Sequence, residues 1–361
     1  MISILLCYSN DKQNRSISYH HGWKNGFIEH PRFNCISLNL AAPYLLNKLA
    51  LAKAHLRKVD AVVILHSAFS NSQLLKGAFF DQIQCMDAPK IYFVGNEYKL
   101  MPEKIAFAKD LQCALFITQT ESKQIEDMYC KAIGCPVESL PGAGLSTDIF
   151  YPRIEFEKRS IDLGFRAAEE PAYFYHQDRM AIAEYFINNS SKFSLNIDIS
   201  VGQNKKRFDR NKYSDFLNNC KGQLGTESGP EHFDLTDKLR LAVNQHTIAH
   251  PDSSLDEIRN LFLPAEQDRV PLRIISGRNI EAAGTKTVQL LFEGNYSGHF
   301  NPDEHYISIR KDFSNIDQAM EKFKDLSYCK KLTDNAYDLI MQEFTYRKLI
   351  DKFYSMLQRY I

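Results

Sequence analysis

The sequence predicts an α/β protein made of two doubly wound parallel sheets, one after the other along the chain. Three observations carry this. Short apolar runs alternate with helical apolar stripes over the first 150 residues, the alternation breaks at one stretch rich in proline and glycine, and it resumes beyond. With 361 residues, 44% of them apolar, the chain has material for two cores of ordinary size.

In the first half the strand candidates are 2–7, 35–38, 61–66, 90–95 and 114–118. Each is short and apolar and gives way to polar or small residues, as buried parallel strands do. Between them Leu45, Leu49, Ala52, Leu56 and Val59 recur at spacings of four, three, four and three, which makes one apolar helix face. Ile125, Met128 and Ala132 repeat in the same way after Thr118-x-x-Glu121, which reads as a capping box.

The stretch LPGAGLSTDIFYP (140–152) has two prolines, two glycines and no sustained period, so it closes a first domain, 1–152. A second domain, 153–342, shows strand candidates at 160–163, 195–199, 222–225, 288–292 and 306–309. Its helix candidates are 178–188, 213–219, 280–284 and 316–326. Towards the end, Ser314 is placed to cap a helix carrying Ile316, Met320 and Phe323, and Thr333 another carrying Ala336, Leu339 and Ile340. The last segment, 343–361, carries Leu349, Phe353, Met356 and Tyr360 on one side, and a one-sided helix must lie against something.

Composition excludes several classes. Forty-four basic and 44 acidic residues cancel, which leaves no global field to hold nucleic acid. The one basic cluster, Lys205-Lys206-Arg207, reads as a solvated turn. Eight scattered cysteines without a C-x-x-C pair read as free thiols in a reducing, cytoplasmic compartment. MISILLCYSN reads as a first strand rather than a signal peptide, and no apolar run approaches the ~20 residues of a membrane span. His246-x-x-x-His250 lacks a nearby Glu and runs straight into Pro251, so no metal is expected there. The absence of G-x-G-x-x-G after the first strand, and of G-x-x-x-x-G-K-[ST] anywhere, argues against a dehydrogenase and a P-loop enzyme.

Four segments carry a family resemblance. They are LPGAGLSTDIFYP (140–152), with its Asp148-x-Phe150-x-Pro152; IDLGFRAA (161–168); RNIEAAGTKTVQLLFEG (278–294); and FNPDEHYISIRKDFSNIDQAMEKFKD (300–325). In that order they resemble the "group 1" family of GT-B glycosyltransferases, in its spore-maturation-like branch. The resemblance implies two Rossmann-like doubly wound domains facing a cleft. The first would bind an acceptor and the second a nucleotide-sugar donor, and the C-terminal helix would cross back to the first domain. It implies metal-independent transfer without a cofactor, the nucleotide sugar being a co-substrate. The acceptor would be a glycan or a lipid-linked precursor of a bacterial surface polysaccharide, reached by peripheral contact with the inner membrane. Rival readings are a nucleotide-sugar epimerase of the same architecture and a degenerate nucleotide-sugar-binding protein.

A donor pyrophosphate held without metal needs backbone N–H groups, a helix N-terminus and cationic side chains. Arg166, at a strand end after Gly164, and Arg278 are the candidate cations; each is equally explained by an ion pair, Arg278 with Glu281 at i, i+3. By resemblance Glu281 takes the ribose hydroxyls, with Gly284 and Thr285 in the turn that follows. The cluster Gly225-Thr226-Glu227-Ser228-Gly229 lets backbone approach a ligand and supplies hydroxyl and carboxylate partners, or else is a tight polar turn. By the same resemblance EGNYSGHF (293–300) brings Tyr296 and Ser297 near the donor. The chain departs from the family at Arg273, where retaining members carry a second Glu. The base for the acceptor hydroxyl is sought at strand ends of the first domain, where Glu97 and His66 are the candidates, with His20 and His21 behind them.

Overall fold

A computed structural model describes residues 1–10, 18–202 and 208–361; the basic cluster Lys205-Lys206-Arg207 lies outside the described residues. In chain order the first elements are β1 (Ile2–Tyr8), α1 (Ser18–Glu29), β2 (Phe33–Asn39), α2 (Tyr44–Arg57), β3 (Ala61–Ile64) and α3 (Ala78–Gln84). Then come β4 (Lys90–Phe93), α4 (Met101–Asp110), β5 (Leu115–Thr118), α5 (Lys123–Ile133) and β6 (Val137–Ser139). They continue with β7 (Ile161–Ala167), α6 (Asp178–Phe193), β8 (Ile197–Val201), α7 (Arg210–Asn219), β9 (Cys220–Gly225), α8 (Lys238–Ala249) and α9 (Leu255–Phe262). The chain ends through α10 (Gly277–Gly284), β10 (Val288–Phe292), β11 (Ile307–Ile309), α11 (Ile316–Lys324), α12 (Leu326–Glu343) and α13 (Tyr346–Leu357).

These elements form two compact units. Unit 1 comprises Met1–Gly144, Phe233–Arg240 and Tyr346–Ile361; unit 2 comprises Leu145–His232 and Leu241–Thr345. The division differs from a cut at 152 and 342 in identifiable ways. Residues 145–152 stay with unit 2, where the Leu145 N–H donates to the Phe344 carbonyl (2.8 Å). Residues 233–240 join unit 1, because Asp237 accepts from the Leu100 N–H (2.8 Å) and the Phe233 ring packs on Tyr129 (centroids 5.3 Å apart).

The sheet of unit 1 has six parallel strands in the order β2-β1-β3-β4-β5-β6. Its central strands are apolar on both faces because helices cover both. Ile4, Leu6, Val63, Phe93 and Ile117 face Trp23 and Phe27 of α1 and Leu349, Ile350 and Phe353 of α13. The one-sided last helix therefore has its partner inside unit 1. Two glycines let α1 and α13 approach: a Cβ on Gly22 would sit 2.0 Å from the Tyr346 ring, and one on Gly26 would sit 2.7 Å from Ile350 Cδ1. Unit 2 has five parallel strands, β11-β10-β9-β7-β8, around Leu163, Phe165, Leu224, Leu290 and Ile307.

Several local expectations give way. The leucine face of α2 turns outward, and what the helix buries is Asn47, Leu51 and Ala54. Helix α5 starts from Ser122 without a side-chain cap, and Thr118 instead ends β5 and donates to Glu97. Helix α11 starts from Asn315, not Ser314. Thr333 lies inside α12, whose cap is Asp325, accepting from the N–H groups of Ser327 and Tyr328. A cap needs its side chain at the last non-helical residue, and the carboxylate of Asp325 stands there, whereas Thr333 lies more than two turns inside the helix.

Candidate functional site

In an open parallel sheet, ligands bind beyond the carboxyl ends of strands where the winding reverses. In unit 2 the chain runs from β7 outward to β8 and then back past β7 to β9, so the reversal lies between β7 and β9. The segments leaving those two strands carry most of the buried charge of the unit.

Glu227, just past β9, is buried; its Oε1 accepts from the N–H groups of Asn295 (3.1 Å) and Tyr296 (2.7 Å). Its Oε2 accepts from Arg273 Nε (3.4 Å). Gly294 makes this possible, since a Cβ there would lie 2.7 Å from the carboxylate carbon. Arg273 also donates to Asp178 Oδ2 (2.7 Å), which Lys311 reaches at 3.0 Å. The Arg273 guanidinium lies against the His176 ring, whose Nε2 faces the Gly229 carbonyl at 2.9 Å. Burial and then Arg273 push His176 down to about 4, so it is neutral near pH 7. Burial would raise Asp178, but His176, Arg273 and Lys311 outweigh it and hold the carboxyl below the usual range. Arg179 donates to Ser228 Oγ (3.3 Å) and pairs with Glu170 (3.4 Å). Glu170 is itself raised by burial.

The start of α10 adjoins this cluster. Ser276 and Asn279 form a capping box, and a Cβ on Gly225 would come 3.4 Å from Asn279 Nδ2. The Ser297 hydroxyl accepts from the Ile275 N–H (3.3 Å). Arg278 is half-buried in the first turn of α10 and makes no ion pair among the described residues; Glu281, one turn on, is buried. Both lie close enough to Tyr213 of α7 to act on its phenol.

The structure thus gathers Gly225, Glu227, Ser228, Arg278, Glu281 and Ser297 around one strand edge. Thr226 is buried there with its hydroxyl turned to the Glu227 carbonyl (3.0 Å). Tyr296 contributes its backbone; its ring is core, and its hydroxyl donates to the Phe292 carbonyl (2.7 Å). Other candidates are committed elsewhere. Arg166 pairs with Asp198 (2.5 Å) and lies over the Phe216 ring (4.4 Å), which is the ion-pair alternative for that residue. Gly284 packs against Leu145 and the Phe150 carbonyl. Thr285 is fully buried, its hydroxyl bonded to the helix carbonyls and its carbonyl taken by Arg159 (2.8 Å). His176, Asp178, Arg179 and Lys311 were not singled out from sequence. The usable signal was position: His176 lies in the connection that follows β7, Asp178 and Arg179 open α6, and Lys311 stands just beyond β11.

In unit 1 the reversal lies between β1 and β3, where the Ser9 N–H donates to Ser67 Oγ (3.0 Å). His66 is buried beside it among Trp23, Tyr19 and Phe93, with ring centroids 5.5–5.9 Å away. Burial, then the neighbouring His20, push it down to about 3. His21 meets Asn10 at 3.3 Å. Glu97 is a different case. Its oxygens accept from Thr118 (2.5 Å), Tyr129 (2.7 Å) and the Gln119 N–H (2.7 Å), and burial raises it. Three donors leave it tying β4 to β5 and α5 rather than presented to a substrate. His246 contacts Ser253 Oγ (3.0 Å), and among the described residues no group of three His, Cys, Asp or Glu side chains is placed to hold a metal.

No protein-family model matches the chain, and no curated protein matches it by sequence. Solved structures do. A trehalose-phosphate synthase (UDP-forming) from Burkholderia vietnamiensis matches with a TM-score of 0.54 at 9% identity, over 99% of this chain and 97% of that one. A glycosyltransferase from Rickettsia africae matches with 0.53 at 10%, over 99% and 98%. HepE from Anabaena, solved in complex with UDP, matches with 0.52 at 9%, over 99% and 100%. By its two parallel sheets and its likeness to these structures over nearly its whole length, the chain has the GT-B fold.

Proposed function

We propose that the protein is a glycosyltransferase: unit 2 binds a nucleotide-sugar donor and unit 1 an acceptor. The observation that supports this most is the strand edge between β7 and β9. There a glycine-flanked loop, the N-terminus of α10 and the 294–298 loop meet, with Arg278 and Glu281 one turn apart beside them. Backbone N–H groups at a helix start and a half-buried guanidinium suit a pyrophosphate; a buried carboxylate suits a ribose diol. The donor chemistry agrees with the UDP held by HepE.

In this reading Arg273, locked to Glu227 and Asp178, takes no part in binding sugar. It fixes the Glu227 carboxylate, which in turn positions the 294–298 loop. Of the two candidate bases, Glu97 has its oxygens occupied by three donors, and His66, buried among aromatic rings and pushed down to about 3, binds a proton only weakly. Transfer needs no metal and no resident cofactor; the acceptor is a glycan or lipid-linked glycan of the cell surface; and the protein works in the cytoplasm, touching the inner membrane peripherally. Among the described residues no helix is long and apolar enough to cross a membrane.

The test is thermal shift with a panel of nucleoside diphosphates and their sugars. A ligand at a hundredfold its Kd adds about 2.7 kcal/mol to stability, enough for a clear rise in Tm. We expect one base to stabilise the wild type and not Glu281→Ala. If no member of the panel moves the wild type, the donor-site reading fails.

A further inference from the structure

We propose that α2 is a membrane-surface helix that seats unit 1 on an anionic lipid layer. The inference locates the membrane contact named above, and it rests on the geometry of α2 alone, not on the donor site.

Helix α2 is inverted relative to its own sequence. Leu45, Leu49, Ala52 and Leu56 follow one another at spacings of four, three and four, and such a stripe ordinarily faces a core. Here Leu45 is 66% exposed, Leu49 58% and Leu56 86%, with Leu46 (56%) and Tyr44 (58%) beside them. The fold takes only the opposite edge, Asn47, Leu51 and Ala54. Single exposed leucines on a soluble surface need no explanation; a contiguous row along one helix does. A groove of about 490 Å³ lined by Leu45, Leu49, Ala52 and Gln82 of α3 extends the apolar strip.

Charge identifies the occupant. From Leu40 to Val59 there is no acidic residue, in a chain whose acids and bases are equal in number. The same stretch holds Lys48, Lys53, Arg57 and Lys58, all exposed. At about 100° per residue, Lys48 flanks the leucine stripe on one side and Arg57 on the other, with Lys53 towards its outer edge. Long basic side chains beside an apolar stripe can bury their stems and keep their charges at headgroup level. Fourteen residues span only about 21 Å, which is too short to cross a bilayer of about 30 Å and suited to lying along its surface. A second copy of α2 would set these cations against their like, and an acidic peptide would satisfy the charges but not the leucines.

Cosedimentation of the full chain with vesicles tests this. We expect binding to phosphatidylcholine vesicles containing phosphatidylglycerol, little binding to phosphatidylcholine alone, and release as salt rises. Leu45→Ser/Leu49→Ser/Leu56→Ser should lower partitioning by at least about tenfold, and Lys48→Glu/Lys53→Glu/Arg57→Glu should do likewise. Both variants should keep the wild-type melting temperature and the wild-type response to nucleotide, since every altered side chain is exposed. The proposal falls if the wild type ignores the anionic vesicles, or if the serine variant sediments as the wild type does. It falls also if light scattering shows a wild-type dimer that the serine variant loses without either protein binding lipid, which would make the occupant a second copy. Because vesicle binding and nucleotide shift are read separately, failure of the donor reading leaves this result standing, and the reverse.

Discussion

Arg273 lies between two buried carboxylates, Glu227 and Asp178, and removing it would take a cationic partner from each. Breaking one partner out of a buried charge cluster costs about 3–5 kcal/mol, because the remaining charge stays desolvated. Arg273→Ala is therefore expected to lower the unfolding free energy measured in urea by that amount, and Arg273→Lys to recover only part, since one ammonium does not span both carboxylates. His66 and His176 give a second prediction at this scale. Both are depressed in the folded chain, to about 3 and about 4, from 6.5. A depressed histidine contributes stability that is complete above pH 6.5, where folded and unfolded forms bind equal protons. Below 6.5 the unfolded chain takes the proton first, so stability falls with pH until the folded pKa is reached. Each ring costs up to about 1.4 kcal/mol per pH unit in that window. Urea midpoints from pH 7 down to 5 should decline, and His66→Asn should flatten the decline. At this scale the sequence showed which residues were chemically able, but not which were already spoken for. The Asp198 that holds Arg166 and the Thr118, Gln119 and Tyr129 that saturate Glu97 come from distant positions, and no local pattern announces them.

The packing of α1 on α13 sets the element-scale prediction. Gly22→Val would drive its side chain into the Tyr346 ring, where even a Cβ lies at 2.0 Å. Overpacking of this kind costs about 1–3 kcal/mol, to be read as a lower Tm, and Ala at Gly26 should act in the same direction but more mildly. Strands were the legible elements. Among the described residues, most strands carry a short apolar run, whereas β6 is the three residues Val-Glu-Ser and has none. Helices were harder to place. The stripe on α2 was read with the right period, but period says nothing of which side the fold will use. Helix α1 was missed because its buried residues include His20 and Gly22, which no hydrophobicity pattern counts.

At the scale of the molecule, two sheets with separate cores predict separable responses. A nucleoside diphosphate held at the β7/β9 edge should slow amide exchange in 225–229, 274–281 and 294–298 and leave β1 to β5 as they were. Protection spread equally over both sheets would contradict a donor site confined to unit 2. The two-domain α/β architecture was legible because alternation and a single break are long-range patterns that survive local error. The assignment of 233–240 to unit 1 was not, since it depends on Asp237 reaching the Leu100 N–H across 137 positions of sequence.

The last helix has one more consequence. Trp23, Phe27 and Phe93 find their cover in residues 346–357, far along the chain from them. During synthesis, unit 1 begins before unit 2 and yet cannot close its core until α13 has been made. Unit 2, whose sheet is complete by Ile309, can finish earlier. The growing chain thus carries an uncovered aromatic surface until Tyr346–Leu357 has been made, and a truncation just before Tyr346 would spare every strand among the described residues yet leave the first unit open.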